Sequence, residues 1–421
     1  MKKFKVLVVP SDRTGVSYYR STNPHLALEN NYPDEFHVDI DYEPQLNNDE
    51  WLKQYDIIHY HRTLASYEQM EGLLQKLQNL GIITIMDLDD YWAPGSHHPA
   101  YHIIKANGLD KKIENNVKVA QYVTTTTSVF ANEISRINKN VFVLPNAIDP
   151  TEAQFTPNLE PSNGRLRIGW LGGSSHLKDL EILQGVVNKL RGEGLLEKVQ
   201  FVLCGFDLRG THTEIDPVTK EQRVRPITPK ESVWYQYERI FTDDYQSVSP
   251  QYRDFLLKFE QKEFPNVANE PYRRVWTKHI STYASNYNLF DVSLAPLEEN
   301  VFNKVKSQLK VIEAGFHHKA IVAQNFGPYQ VDLKNAIQYG GGFDLTANGI
   351  LVDSNKNHKD WHGAIKKLIN NPELVKTLQD NLHETIKDTY SLNKITEDRR
   401  NLYLSLIAKH KPEMAMEKTL A

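Results

Sequence analysis

Short runs of apolar residues recur along the chain, and longer stretches between them repeat apolar positions every three or four residues. Residues 4–10, 36–42, 56–61, 82–86, 122–126 and 141–144 read as strands, with helical spacing over 67–80 and 110–120. A second series of strands follows at 166–171, 199–204, 291–295, 320–323 and 350–352. Parallel neighbours require a crossover, so strands that alternate with helices predict doubly wound parallel sheets of the α/β class. The two series meet at 149–164, a stretch rich in Pro, Asn and Glu, which predicts domains at 1–150 and 151–390. Residues 206–272 exceed what one αβ unit needs and read as an insertion, with a hairpin over 211–225 turning at Asp216-Pro217 and a helix over 252–261. Its aromatics, Trp234, Tyr235 and Tyr237, either cover a small satellite core, the more frequent role, or meet an acceptor or a partner subunit. Residues 391–410 read as a final helix.

A length of 421 residues is too great for one ordinary core and agrees with two domains. Hydrophobic residues at 40% and charged residues at 24% give the balance of a soluble globular protein. A formal net charge of −4 argues against coating nucleic acid by bulk charge and leaves a local basic groove open. Cys204 is the only cysteine, so no internal disulfide can form and a cytoplasmic setting is expected. Met1-Lys2-Lys3-Phe4 leads straight into a strand without a signal-peptide apolar region. No apolar run approaches the roughly 20 residues that span a bilayer.

Four segments carry candidate chemistry. In Asn303–Gly315, read as one helix at about 100° per residue, Val305, Leu309, Ile312 and Phe316 share a core face. Asn303, Lys306, Lys310 and Glu313 then fall on an adjacent face. Two ammonium groups a turn apart suit a diphosphate, and a carboxylate one turn on suits ribose hydroxyls. A solvated face with a Lys310–Glu313 pair is the equally weighted plain alternative. At Gly172-Gly173-Ser174-Ser175-His176, a strand ends in two glycines before a helix expected to run through Leu190. Glycines let backbone approach a phosphate, the helix start offers N–H groups, and His176 and Lys178 add charge. Ser11–Arg20, with Gly15, follows the first strand, where open α/β sheets place ligands, and it lacks the G-x-G-x-x-G of dinucleotide enzymes. Asp87-Leu88-Asp89-Asp90 follows the fourth strand, near His97, His98 and His102. Its carboxylates cap a helix, orient or deprotonate an acceptor hydroxyl, or hold a divalent cation, the last being the least favoured. His59 and His61 point to one side of their strand, too few for a metal site.

Ile168–Lys178, Leu144-Pro145-Asn146-Ala147-Ile148-Asp149 and Lys306-Ser307-x-x-Lys310-x-x-Glu313-Ala314-Gly315 together resemble the GT-B retaining glycosyltransferases of group 1, the glycogen synthase and mannosyltransferase type. The resemblance covers nearly the whole chain in order. It implies two Rossmann-like domains facing across a cleft, with the acceptor on the first, the nucleotide sugar on the second, and the last helix returning to the first. It implies that Glu313 binds ribose, that Lys178 with Lys306 or Lys310 stabilises the diphosphate, and that Gly15 faces the donor. Three departures stand out: Val305 replaces a glutamate usual eight positions before Glu313, Met86-Asp87 replaces a histidine usual at the end of the fourth strand, and an Arg-Lys pair is reduced to His176 and Lys178. The expected activity is transfer from a UDP- or GDP-sugar to a hydroxyl of a glycan, lipid-linked sugar, protein or modified DNA base, without an obligatory cofactor or metal. Asp89, Asp90 and Lys178 are the expected catalytic residues, and Gly15, Gly172, Gly173, Ser174, His176, Lys178, Lys306, Ser307, Lys310 and Glu313 the donor-binding ones. The rival readings are a nucleotide-sugar epimerase and an inactive sugar-binding module.

Overall fold

The computed structural model describes residues 3–413 apart from 97, 99, 208, 216–218, 220, 246, 259 and 354–356, so His97 and the Asp216-Pro217 turn lie outside the described residues. By its internal contacts the chain divides into a first unit, Met1–Pro150 with Asn300–Ile312 and Ile386–Ala421, and a second, Thr151–Glu299 with Glu313–Thr385. The expected second domain, 151–390, therefore loses two segments to the first unit. Val305 is buried in that unit's core, and Tyr390 accepts the Ile148 N–H through its carbonyl at 3.0 Å.

The first unit holds β1 (Phe4–Val9), β2 (Phe36–Ile40), β3 (Ile57–His61), β4 (Ile83–Leu88), β5 (Tyr122–Thr125) and β6 (Val141–Val143). They form one parallel sheet in the order β2-β1-β3-β4-β5-β6. A sheet covered on both faces needs apolar side chains at successive positions, and the pleat sends them alternately to two cores. Leu7, Ile58, Tyr60, Met86 and Leu88 pack with Leu74, Leu77 and Val117 on one face. Val6, Val8, Ile57, Ile83 and Ile85 pack on the other with Leu28 and with Tyr403, Leu406 and Ile407 of the final helix, Leu392–His410. The Ser391 side chain caps that helix by accepting the Lys394 N–H at 3.3 Å.

The second unit repeats the plan with β7 (Leu166–Leu171), β8 (Val199–Phe206), β11 (Tyr272–Trp276), β12 (Val292–Ala295), β13 (Ala320–Gln324) and β14 (Ile350–Val352), interrupted by a two-stranded hairpin of β9 (Thr211–Ile215) and β10 (Gln222–Pro226). The parallel order is β11-β8-β7-β12-β13-β14. The doubly wound α/β expectation therefore holds in both units. One strand was not anticipated, and two local expectations do not hold. β11 is an edge strand that its apolar pattern conceals, because Arg273 and Arg274 interrupt it while both are buried in ion pairs. The helix expected to run through Leu190 breaks into Leu177–Glu181 and Val186–Gly192 at Gly185. There φ is +102° and a Cβ would lie 2.7 Å from the His358 ring, so only glycine suits the position. Trp234 and Tyr237, on the helix Val233–Thr242, join the unit's main core with Trp170, Phe201 and Phe206 and build no satellite of their own.

Candidate functional site

In the first sheet the order reverses between β1 and β3, and loops at the carboxyl ends of such strands diverge to leave room for a ligand. Three of those ends bring Ser11, His61 and Asp89 into one hydrogen-bonded chain. His61 lies 2.8 Å from Asp89 Oδ1 through Nε2 and 2.8 Å from Ser11 Oγ through Nδ1. An ionised carboxylate only accepts, so in the neutral ring Nε2–H donates to Asp89 and Nδ1 accepts the Ser11 hydroxyl. Arg62 donates to Asp89 at 3.1 Å and approaches Asp90 at 3.8 Å. It is held at φ +58°, a left-handed conformation uncommon for a long side chain. The Asn116 amide donates to its carbonyl at 3.1 Å, and its own N–H donates to the Asp87 carbonyl at 3.1 Å. Burial works to raise the Asp89 carboxyl, but His61, Arg62 and Arg20 outweigh it and hold it well below the ordinary carboxylate range. Burial and then the charge on Asp89 push Asp90 the opposite way, above its ordinary value. Two adjacent carboxyls with separated affinities for a proton take different roles.

Asp87 belongs to the scaffold. Both its oxygens are engaged by Arg20, Nε on Oδ2 at 3.0 Å and Nη2 on Oδ1 at 2.7 Å, and Thr124 donates to Oδ1 at 2.7 Å. Asp87 is thus spent on the scaffold, and among the described residues no group of three or more His, Cys, Asp and Glu is placed to hold a metal ion. Gly15 opens a three-residue helix, Gly15–Ser17, after a loop that closes on itself. There Asp12 accepts the Thr14 N–H at 2.8 Å, and the Ser17 hydroxyl accepts the Asp12 N–H at 3.2 Å.

In the second sheet the reversal lies between β7 and β12. Gly173, Ser174 and Ser175 are exposed there, at the carboxyl end of β7. Tyr237 spans this turn, its hydroxyl accepting the His176 N–H at 2.8 Å and facing the Gly173 carbonyl at 3.3 Å. Gly205, at φ +104°, lets the Gly172 carbonyl approach where a Cβ would stand 2.5 Å away. Asp179 ties the turn to the end of β12, contacting His176 Nδ1 at 2.7 Å and accepting the Glu298 N–H at 2.8 Å. Lys178 pairs with Glu181 at 2.7 Å, and both are partly exposed, so the pair is a weak one that a bound anion can compete with.

The single polar stripe expected over Asn303–Gly315 is not there. Asn303 belongs to a four-residue helix, Val301–Lys304, capped by the Asn300 side chain at 2.8 Å. Lys306 and Ser307 occupy the turn that follows, and a second helix, Leu309–Phe316, carries Lys310 and Glu313. Val305 buried in the first core and the Gln308 amide, which donates to the Tyr390 hydroxyl at 3.0 Å, hold the break. Lys306 Nζ lies 5.3 Å from the Phe302 ring centroid. Ser307 Oγ accepts from the Asn146 amide at 3.2 Å. Glu313 is 4% exposed and accepts from two phenols, Tyr283 on Oε1 and Tyr287 on Oε2, the latter at 2.9 Å.

The structure thus brings Asp89 and Asp90 together with two residues not assigned a role in the sequence, His61 and Ser11. It places Gly172, Gly173, Ser174 and His176 in one turn and leaves Lys178 on the short helix after it. Tyr237, Tyr283 and Tyr287 carry no local motif, since each acts on a partner distant in the chain, and Asp179 joins its neighbour His176 to the distant Glu298.

Compared by sequence, the chain matches no protein-family model and no curated protein. Compared by structure, it is similar to sucrose-phosphate synthase from Thermosynechococcus elongatus, with a TM-score of 0.59, 14% identity, and 97% of this chain and 100% of that one covered. Anabaena HepE in complex with UDP and glucose superposes with a TM-score of 0.57 at 11% identity, covering 96% and 99%. The UDP-forming α,α-trehalose-phosphate synthase from Burkholderia vietnamiensis gives 0.57 at 10% identity, covering 98% of each chain. The fold shared with these proteins is GT-B, built from two Rossmann-like units.

Proposed function

We propose that the protein transfers a glycosyl group from a nucleoside diphosphate sugar to a hydroxyl, with the donor held by the second unit and the acceptor by the first. The observation that carries this reading is the turn at Gly172–Ser175, exposed from Gly173 onward, at the reversal of the second sheet, on a fold whose solved examples include HepE with UDP and glucose bound. Backbone N–H groups of Gly172, Gly173 and Ser174 receive the diphosphate, which Lys178 and Lys310, the latter on the helix that carries Glu313, help neutralise. Glu313 receives the ribose hydroxyls. As the glycosidic bond breaks, negative charge grows on the leaving diphosphate, and cations and amides already aimed at it lower the barrier. In the first unit the exposed Ser11 hydroxyl, which passes its own proton to His61 as Asp89 orients the ring, and the partly exposed Asp90 orient the acceptor hydroxyl and take its proton. The donor is a UDP- or GDP-sugar and the anomeric configuration is retained. The acceptor is a glycan, lipid-linked sugar, protein or modified DNA base. Cys204 is buried and unpaired, in keeping with work in the cytoplasm. Among the described residues no helix is long and apolar enough to cross a membrane.

Calorimetry with UDP and GDP tests the donor site. Glu313→Ala and Lys310→Ala each weaken nucleotide binding by about 1–3 kcal/mol, the worth of hydrogen bonds to charged groups. Unchanged affinity in both variants removes the donor assignment. Transfer also survives EDTA, because lysines stand where a cation would otherwise neutralise the diphosphate. Complete loss of activity in chelator, restored by manganese or magnesium, would reverse that expectation.

A further inference from the structure

We infer that Tyr237, carried by the segment inserted between β8 and β11, is a positioning residue that sets the Gly172–His176 turn to receive a diphosphate. The inference rests on the donor reading above and gives the inserted segment a function within it. Tyr237 is fully buried, yet its hydroxyl reaches both sides of the turn, accepting the His176 N–H at 2.8 Å and facing the Gly173 carbonyl at 3.3 Å. A hydroxyl that accepts one bond and donates the other fixes the distance between two peptide groups that would otherwise move separately. Burial raises the phenol's pKa, so it keeps the proton it donates throughout the physiological range.

The ring itself is wedged edge-on against Trp170 at 5.4 Å and against Trp234 at 5.1 Å between centroids. Its helix cannot slide, because the next residue, Glu238, is gripped by Arg274 of β11 through two hydrogen bonds of 2.7 and 2.8 Å. Gly205 completes the support from below, where only a glycine lets the Gly172 carbonyl approach. A turn with free amides loses affinity for phosphate if it must first be ordered, so an ordered turn binds more tightly without any new contact to the ligand. The effect falls on the diphosphate and leaves the base and ribose contacts alone.

Tyr237→Phe keeps the ring and removes only the hydroxyl. The expected result is a tenfold or greater loss of UDP affinity, with uridine binding within twofold of the parent protein and an unchanged thermal midpoint. Amide exchange at His176 speeds up in the same variant, nucleotide absent, because that N–H has lost its acceptor. Equal UDP affinity in parent and variant, or parallel losses for UDP and uridine, overturns the inference while leaving the donor reading in place. A parent protein that binds neither UDP nor GDP overturns the donor reading and the inference with it.

Discussion

Glu238→Ala and Arg274→Ala should each destabilise the second unit by about 3–5 kcal/mol, the cost of leaving one buried charge without its partner. Both side chains are 1% exposed, and Arg274 meets the carboxylate with Nε at 2.7 Å and Nη2 at 2.8 Å. Burial pushes the Glu238 carboxyl up against the pull of Arg274, while Glu238 outweighs burial in raising the guanidinium. The two-pronged geometry is that of an ionised pair. The pair sits at the join between the inserted helix Val233–Thr242 and the edge strand β11, and Tyr272 adds a third bond to Glu238 at 3.0 Å. Removing Glu238 leaves a dry guanidinium facing the Leu256 and Lys258 carbonyls in place of a carboxylate, and removing Arg274 leaves a dry carboxyl beside the Tyr272 hydroxyl. Replacing both by apolar side chains of similar volume, as in Glu238→Met with Arg274→Met, should cost far less than the sum of the single changes. Urea titration followed by tryptophan fluorescence measures this, because Trp170, Trp234, Trp276 and Trp361 all lie in the second unit. Single variants that lose less than about 1 kcal/mol would show that water reaches the pair and that it behaves as a surface contact.

The same pair explains where the sequence was legible and where it was not. Strands such as Ile57–His61 and Ala320–Gln324 are buried on both faces and declare themselves as apolar runs. Tyr272–Trp276 is equally a strand, but its two arginines read as surface until Glu160 and Glu238, both distant in sequence, are known to hold them. The glycine turn and the Asp89-Asp90 loop were visible because a strand end followed by special residues is a local pattern. The Asn303–Gly315 stripe misled for the converse reason. Its 3.6-residue periodicity is real over Leu309–Phe316, whereas Val305 answers to a core that the periodicity cannot reveal. His61 was seen only as half of an insufficient metal pair. Its partner Asp89 stands 28 positions away, brought alongside by the parallel pairing of β3 with β4 that puts His61 opposite Asp87.

That pairing leads to the largest catalytic effect expected here. His61→Ala should lower transfer at saturating donor by about 10²–10⁴-fold, the usual contribution of a positioned acid or base. Asp89→Asn should lower it for a different reason. An amide in place of the carboxylate no longer dictates which ring nitrogen carries the proton, so Nδ1 is not held in its accepting form. Asp90→Asn removes the carboxyl whose affinity for a proton is raised, by burial first and by Asp89 second. Where Asp90 acts as base, parent activity falls as the pH drops through that raised pKa, and the fall is absent from the residual activity of Asp90→Asn. None of the three variants should change UDP affinity, because the predicted phosphate and ribose contacts belong to Gly172–Lys178, Lys310 and Glu313. Initial rates at saturating donor, a pH profile and calorimetry together separate the roles. Full activity in both His61→Ala and Asp90→Asn would make this cluster structural and move the acceptor site elsewhere. Loss of nucleotide affinity in all three, with the fold intact, would place the donor on the first unit and reverse the assignment.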